Sequence, residues 1–280
     1  MNVLNVVLTG PPRSGTTLTC HLLNKLPDTV ALHEPLKIAG LAKRGTHAQI
    51  CEVIADFFLS TRASLHAHSL AHSKHIDGKI PDNPYANHFG AAEFRERQVT
   101  RGEVIIDKTL SPEFLLALKH PAAFTALLPE LIHRFRCLAI IRNPLAALAS
   151  WYTVDEPMRE GRAPAAERLE PALKKALEHL PDRLDRQLHL LSWYYEKFSR
   201  YLKPADLLRY EDLVATNGQA LQMLTPHARH LTEALENRNR NRLYDDTLMQ
   251  TLGERLLQSE GAYWQYYSKD SVAALLEPRV

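Results

Sequence analysis

Apolar positions along the chain change period several times, and each change predicts an element. The run VLNVVLTG (3–10) is β-branched, ends in glycine and is followed by two prolines, as a buried parallel strand would be. In TTLTCHLLNKL (16–26) the apolar residues move to helical spacing, so the chain opens as strand, loop, helix. TVALHEP (29–35) predicts a second short strand, stopped by Pro35. Residues 36–101 carry helical periodicity in places, no β-rich run, and the turn-rich stretch DGKIPDNPYANHFG (77–90). They predict a helical insertion over one end of a sheet. EVIIDK (103–108) and CLAIIRNP (137–144) predict further strands, the latter stopped by Asn-Pro and followed by a helix from about Leu145. After a segment rich in proline, glycine and charge (155–171), LDRQLHLLSWYYEKFSRYL (184–202) reads as a long amphipathic helix. ADLLRYEDL (205–213) predicts the last strand, and the tail is mostly helical and polar. Strands alternating with helices imply the α/β class, a parallel central sheet flanked by helices. With no repeat, low-complexity tract or linker in view, residues 1–280 are read as one domain.

Composition narrows the picture. A net charge of +2 gives no bulk basic field for nucleic acid or a membrane surface, so any anion site must be local. Cys20, Cys51 and Cys137 are scattered and odd in number, which fits a reducing compartment rather than a disulfide framework, and two of them lie in apolar stretches and read as core. The start, MNVLNVVLTG, has no basic opening, long apolar segment or cleavage site. The expectation is a cytoplasmic protein without a membrane anchor.

The candidate chemistry begins in LTGPPRSGTT (8–17). A loop from a buried strand into a helix N-terminus turns several backbone N–H groups toward one point, where the helix dipole favours an anion. Gly10 and Gly15 allow the tight path, Ser14, Thr16 and Thr17 add hydroxyls, and Arg13 adds a planar fork suited to phosphate or sulfate oxygens. The spacing is that of a nucleotide-binding loop, but Thr16 stands where an NTP-hydrolysing loop carries lysine. That substitution suits a ligand with one phosphate-like group at this point. RNPLAALAS (142–150) offers a second anion site: Arg142 at a strand's carboxyl end, and Ser150 about two helical turns on.

Together PPRSGTT and RNPLAALAS resemble the two nucleotide-binding signatures of the sulfotransferases that use 3′-phosphoadenosine-5′-phosphosulfate (PAPS). LHEPL (32–36) is similar to the segment that supplies a catalytic glutamate in carbohydrate and tyrosylprotein sulfotransferases. IIDKTL (105–110) resembles the family's central strand ending in lysine, and RYEDL (209–213) its late Tyr-Glu strand. The resemblance implies a P-loop NTPase-like three-layer sandwich. It also implies sulfuryl transfer from PAPS to an acceptor hydroxyl by in-line displacement, leaving 3′,5′-bisphosphoadenosine. In those terms the first loop, with Thr16 and Thr17, holds the 5′-phosphosulfate and Arg142 with Ser150 the 3′-phosphate. Tyr210 approaches the nucleotide, Arg13 and Lys108 stabilise charge on the phosphosulfate, and Glu34 is the general base. No metal is expected.

His33 is the rival base; because neighbouring strand residues face opposite ways, only one of His33 and Glu34 should face the acceptor. The segment covering the nucleotide is expected within GERLLQSEGAYWQYYSKD (253–270), near Lys269. His66, His68, His72 and His75 are closely spaced, the last three at i, i+4, i+7. That could bind a metal or an acidic acceptor, but without a nearby carboxylate or cysteine a polar helix face is expected. Trp193, Tyr194 and Tyr195 on the long helix read as core, with an aromatic wall for a sugar or aromatic acceptor as the alternative. LHEPL leans toward a sugar hydroxyl, PRSGTT suits a tyrosyl acceptor equally, and a lipid or polyketide hydroxyl stays open. So do an oligomer, a small-molecule kinase with a degenerate loop, and a non-catalytic nucleotide-binding protein.

Overall fold

The structure, a computed structural model, describes residues 2–277. The chain opens with β1 (Asn2–Thr9), α1 (Thr16–Leu23) and β2 (Thr29–His33), as the local pattern predicts. There follow α2 (Ile38–Leu41), α3 (His47–His68), β3 (Leu70–His75) and β4 (Thr100–Ile105). Next come β5 (Leu115–Lys119), α4 (Pro121–Ala126), α5 (Leu128–Leu131), β6 (Phe135–Ile141) and α6 (Pro144–Tyr152). The chain continues through α7 (Pro164–Leu169), α8 (Pro171–Glu178), α9 (Arg183–Tyr201), β7 (Leu207–Arg209), α10 (Tyr210–Ala215), α11 (Asp246–Gln258) and α12 (Lys269–Ala273).

Five strands form the central sheet in the order β2-β5-β1-β6-β7, and every neighbouring pair is parallel. Val6, Val7 and Leu8 of β1 are fully buried, which is why this strand is a continuous apolar run rather than an alternating one. Cys20, Cys51 and Cys137 are free and all three are buried, one more than the two expected in the core. Among the described residues no helix is long and apolar enough to cross a membrane.

Two strands differ from the sequence expectation. EVIIDK does not enter the central sheet: β4 pairs antiparallel with β3 in a separate two-stranded sheet. The place beside β1 goes to β5, LLALK, all five residues of which are buried. Its leucines, alanine and lysine are good helix formers, so its strand state comes from pairing with β1 on one side and β2 on the other. The 36–101 segment is accordingly mixed rather than helical. α3 begins on a Thr46–Gln49 capping box and stops at Ser69, whose φ of 56° ends the helix, and β3 follows. The last strand is also shorter than expected: it ends at Arg209, and Tyr210 opens α10.

Because all five strands run the same way, their carboxyl ends lie along one edge of the sheet. Gly10, Glu34, His120, Arg142 and Tyr210 each follow a strand at that edge. Open parallel sheets bind ligands there.

Candidate active site

The loop after β1 is fixed by close packing. Gly10 has φ +144°, and a Cβ there would sit 2.2 Å from the Ile140 carbonyl oxygen. Ser14 Oγ donates to that same oxygen at 2.7 Å, and Trp151 Nε1 donates to Pro12 O at 2.8 Å. Gly15 has φ +96°, and a Cβ there would meet the Tyr210 ring at 2.8 Å. The loop is thus tied to β6 and α6 and covered by the first residue of α10. α1 has no side-chain cap, so its first-turn N–H groups, which lack intrahelical acceptors, remain available to a ligand.

These groups face a cavity of about 570 Å³ lined by Arg13, Gly15, Thr16, Thr17, Glu34, Arg142, Ser150 and Tyr210. Eight of the ten predicted site residues therefore converge. Ser14 does not line the cavity, its hydroxyl being spent on β6, and Lys108 lies elsewhere. Lys108 Nζ donates to the carbonyls of Leu26 and Thr29 at 2.8 Å each, holding the α1–β2 connection together. Burial lowers its ammonium to about 8. The lysine that ends a strand of the central sheet and lines the cavity is Lys119, on β5, which sequence reading missed because LLALK does not look like a strand.

The two anion motifs make one cationic cluster. Arg142 Nε donates to Asn239 Oδ1 at 2.8 Å, its Nη1 to Arg13 O at 2.9 Å, and its guanidinium lies 4.5 Å from the Tyr210 ring centre. Arg13 turns away from its own loop: Nε donates to Ser150 Oγ at 3.1 Å and Nη1 to Asn83 Oδ1 at 3.2 Å. Burial lowers the Arg13 pKa, and the charges of Arg142 and Arg238 lower it further. Burial also works against Arg142, but Tyr244, Tyr210 and Glu211 outweigh it and its pKa rises. Tyr244 shifts the other way: burial would raise it, yet Arg142, Ser150 and Arg13 bring it down. Glu211 of RYEDL clamps the cluster from behind, accepting from Asn143 N at 2.9 Å, Asn239 Nδ2 at 2.7 Å and Tyr267 OH at 2.8 Å.

Residues 253–270, where the nucleotide-covering segment was expected, do not line the cavity. Leu235, Arg238, Asn241 and Tyr244 line the cavity, whereas Lys269 does not; its ammonium lies 5.6 Å from the Trp264 ring centre. The available signal was the Asn-Arg alternation NRNRNR (237–242), which places polar and cationic groups at every step.

Glu34 adopts φ +48° just past β2. Its N–H continues the sheet bond to Lys119 O at 2.9 Å, while its carboxylate turns into the cavity. Lys119 Nζ donates to Oε1 at 2.9 Å and Lys74 Nζ to Oε2 at 2.5 Å. Lys119 Nζ is also 3.4 Å from Thr17 Oγ1, so one ammonium bridges the carboxylate and the anion loop. Burial alone would raise the Glu34 pKa; Lys119, His33 and Lys74 reverse this and hold it well below the usual carboxylate range. Strand alternation does not separate His33 from Glu34, because the left-handed backbone at Glu34 breaks it. Both line the cavity, with His33 Nε2 at 3.6 Å from Glu34 Oε1. Burial, followed by the Lys119 charge, lowers His33 to about 4, so it is neutral near pH 7.

The histidine series is broken by the fold. His66 and His68 end α3, and His72 and His75 lie on β3. Among the described residues no three His, Cys, Asp or Glu side chains gather to hold a metal.

Fold and site define an α/β protein whose glycine-containing loop and cationic cluster meet in a cavity at the carboxyl edge of its parallel sheet. The sulfotransferase domain model matches residues 4–244, and the chain belongs to the sulfotransferase family, whose chemistry is sulfuryl transfer to an acceptor. Among solved structures, the sulfotransferase STF1 from Mycobacterium tuberculosis H37Rv is similar at 14% identity and a TM-score of 0.35, with 90% of this chain and 76% of that chain covered. No curated protein matches the chain.

Proposed function

We propose that the donor is PAPS, that the acceptor carries a hydroxyl, and that Glu34 removes its proton. The observation carrying this reading is the bridging ammonium of Lys119, which sets a carboxylate directly beside the uncapped, anion-binding N-terminus of α1. The residues fit a donor with two separated anionic ends. The amides of α1 with Thr16 and Thr17 suit the 5′-phosphosulfate. Arg142 and Ser150 suit the 3′-phosphate, with Tyr210 beside the nucleotide and Arg13, bonded to Ser150 Oγ, at the junction of the two motifs. Lys119 takes the charge-stabilising role that the sequence assigned to Lys108.

In the step, the acceptor oxygen forms a bond to sulfur as the bond from sulfur to the phosphate oxygen breaks. The electron pair leaves on the 3′,5′-bisphosphate, and the acceptor proton passes to Glu34. Lys119, drawn from Glu34 to the anion, would neutralise the departing oxygen and at the same time strengthen the base. The inserted segment 36–101 gives Lys74, Asn83 and Tyr85 to the cavity, in keeping with a place over the acceptor within one domain.

Calorimetry against the 3′,5′-bisphosphate nucleotide and against ATP·Mg²⁺ tests the donor assignment. The bisphosphate is expected to bind at least about tenfold tighter, roughly the value of one charge-assisted contact. Preference for ATP·Mg²⁺ would overturn it.

A further inference from the structure

Beyond Glu34 the cavity changes character. Glu34 N bonds Lys119 O, and two residues on Leu36 N donates to His120 Nε2 at 3.0 Å, so the chain after the base runs beside the start of α4. α4 packs on α7 and α9, and α2 packs on α7. This lobe of the cavity is walled by Leu36, Ile38, Ala122, Ala123, Met158 and Ala163. The cations at its margin are already engaged: Lys74 by Glu34, Arg101 by the Pro35 carbonyl at 2.9 Å, Arg162 by Glu167.

Two buried side chains lining the cavity carry a polar atom without a hydrogen-bond partner among the described residues: His33, at Nδ1, beside the base, and Tyr194, at its hydroxyl, on this apolar side. Tyr194, on α9, is fully buried and lines the cavity, yet its hydroxyl has no hydrogen-bond partner among the described residues. It lies close enough to Glu34 for that charge to add to burial in raising its pKa. A buried hydroxyl left unpaired is costly, so its retention at a ligand cavity points to a partner supplied by the ligand.

We propose that the acceptor is an uncharged alcohol or phenol on an apolar body, seated in this lobe with the Tyr194 hydroxyl as its polar anchor. The proposal rests on the sulfuryl-transfer reading with Glu34 as base. A sugar presents a hydroxyl on nearly every carbon, and the alanine, leucine, isoleucine and methionine wall would leave most of them unpaired. An alkyl or aryl body instead gains by leaving water. The small side chains of Ala122, Ala123 and Ala163 make the room. Tyr194 would act as a positioning residue for the acceptor, while the proton still goes to Glu34.

The test uses the full chain saturated with 3′,5′-bisphosphate, titrated with 2-naphthol, 1-octanol, N-acetylglucosamine and a tyrosyl dipeptide. Naphthol or octanol is expected to bind at least tenfold tighter than the sugar and the peptide. Equal or tighter binding of either overturns the proposal. Tyr194→Phe is expected to keep its melting temperature and bisphosphate affinity while raising the KM for naphthol at least fivefold with a smaller change in kcat. An unchanged KM removes the anchor. Ala122→Phe, which fills the lobe, should abolish naphthol binding and leave the bisphosphate bound; retained naphthol binding counts against the lobe. Failure of bisphosphate binding in the unaltered protein would instead overturn the donor assignment beneath the proposal.

Discussion

Glu34 is held between two ammonium groups, and that pairing sets both its charge and its weakness as a base. A carboxylate held well below its usual range is ionised at neutral pH but takes up a proton reluctantly. Drawing Lys119 toward the donor removes the strongest of the influences that depress it. Glu34→Gln is therefore expected to bind bisphosphate normally and lose turnover by about a hundredfold or more. Undiminished turnover would remove Glu34 as base. Lys119→Met should lose roughly a hundredfold to a thousandfold in kcat, the scale of one missing oxyanion donor. Lys108→Met is the contrasting case. It leaves the carbonyls of Leu26 and Thr29 without their donor, at about 1–3 kcal/mol of stability, and turnover per folded molecule should not change. Equal kinetic losses in the two lysine variants would contradict this assignment.

At the scale of the element, the anion loop depends on Gly15 being without a side chain. Its φ of +96° and the Tyr210 ring at 2.8 Å from any Cβ make two separate objections to alanine. Gly15→Ala should cost about 1–3 kcal/mol of stability and weaken bisphosphate binding severalfold or more, because the loop must shift away from Tyr210. Unchanged nucleotide affinity would show that the loop does not hold the donor. This loop was legible in the sequence because its determinants are local: a β-branched strand, two prolines, and glycines at the turns. β5 was not, because LLALK has a helical composition and is a strand only by virtue of its neighbours on both sides. The error carried into the site, since EVIIDK looked like a strand of the central sheet and gave Lys108 the role that we propose for Lys119. The His68–His75 spacing failed for a related reason. A left-handed Ser69 ends the helix between the first histidine and the other two, and a polar strand such as LAHSKH has no apolar period to announce it. Glu34 was legible through LHEPL, whereas the presence of His33 beside it required knowing that Glu34 has a positive φ.

For the whole molecule, the same buried histidines make stability depend on pH. Burial holds His33 at about 4 and His120 at about 3, against about 6.5 for an unfolded histidine. Below pH 6.5 the unfolded chain takes up protons at both positions while the native state refuses them. Stability must therefore fall as the pH drops from about 6.5, through about 4 where His33 charges, and further toward about 3 where His120 follows. Glu34 acts in the same direction at lower pH: its depressed native pKa contributes stability above the unfolded carboxylate value, which is lost as the pH falls toward the native one. Each histidine is worth on the order of 1 kcal/mol per pH unit inside its window. The urea midpoint should thus drop clearly between pH 7 and pH 5, at a slope reduced by about half in His120→Gln, whose side-chain oxygen can still accept from Leu36 N. Glu34 stays ionised throughout this interval, so catalysis per folded molecule should hold while the folded fraction under denaturant declines. A midpoint that does not move between pH 7 and pH 5 would mean that neither histidine is held neutral by the fold.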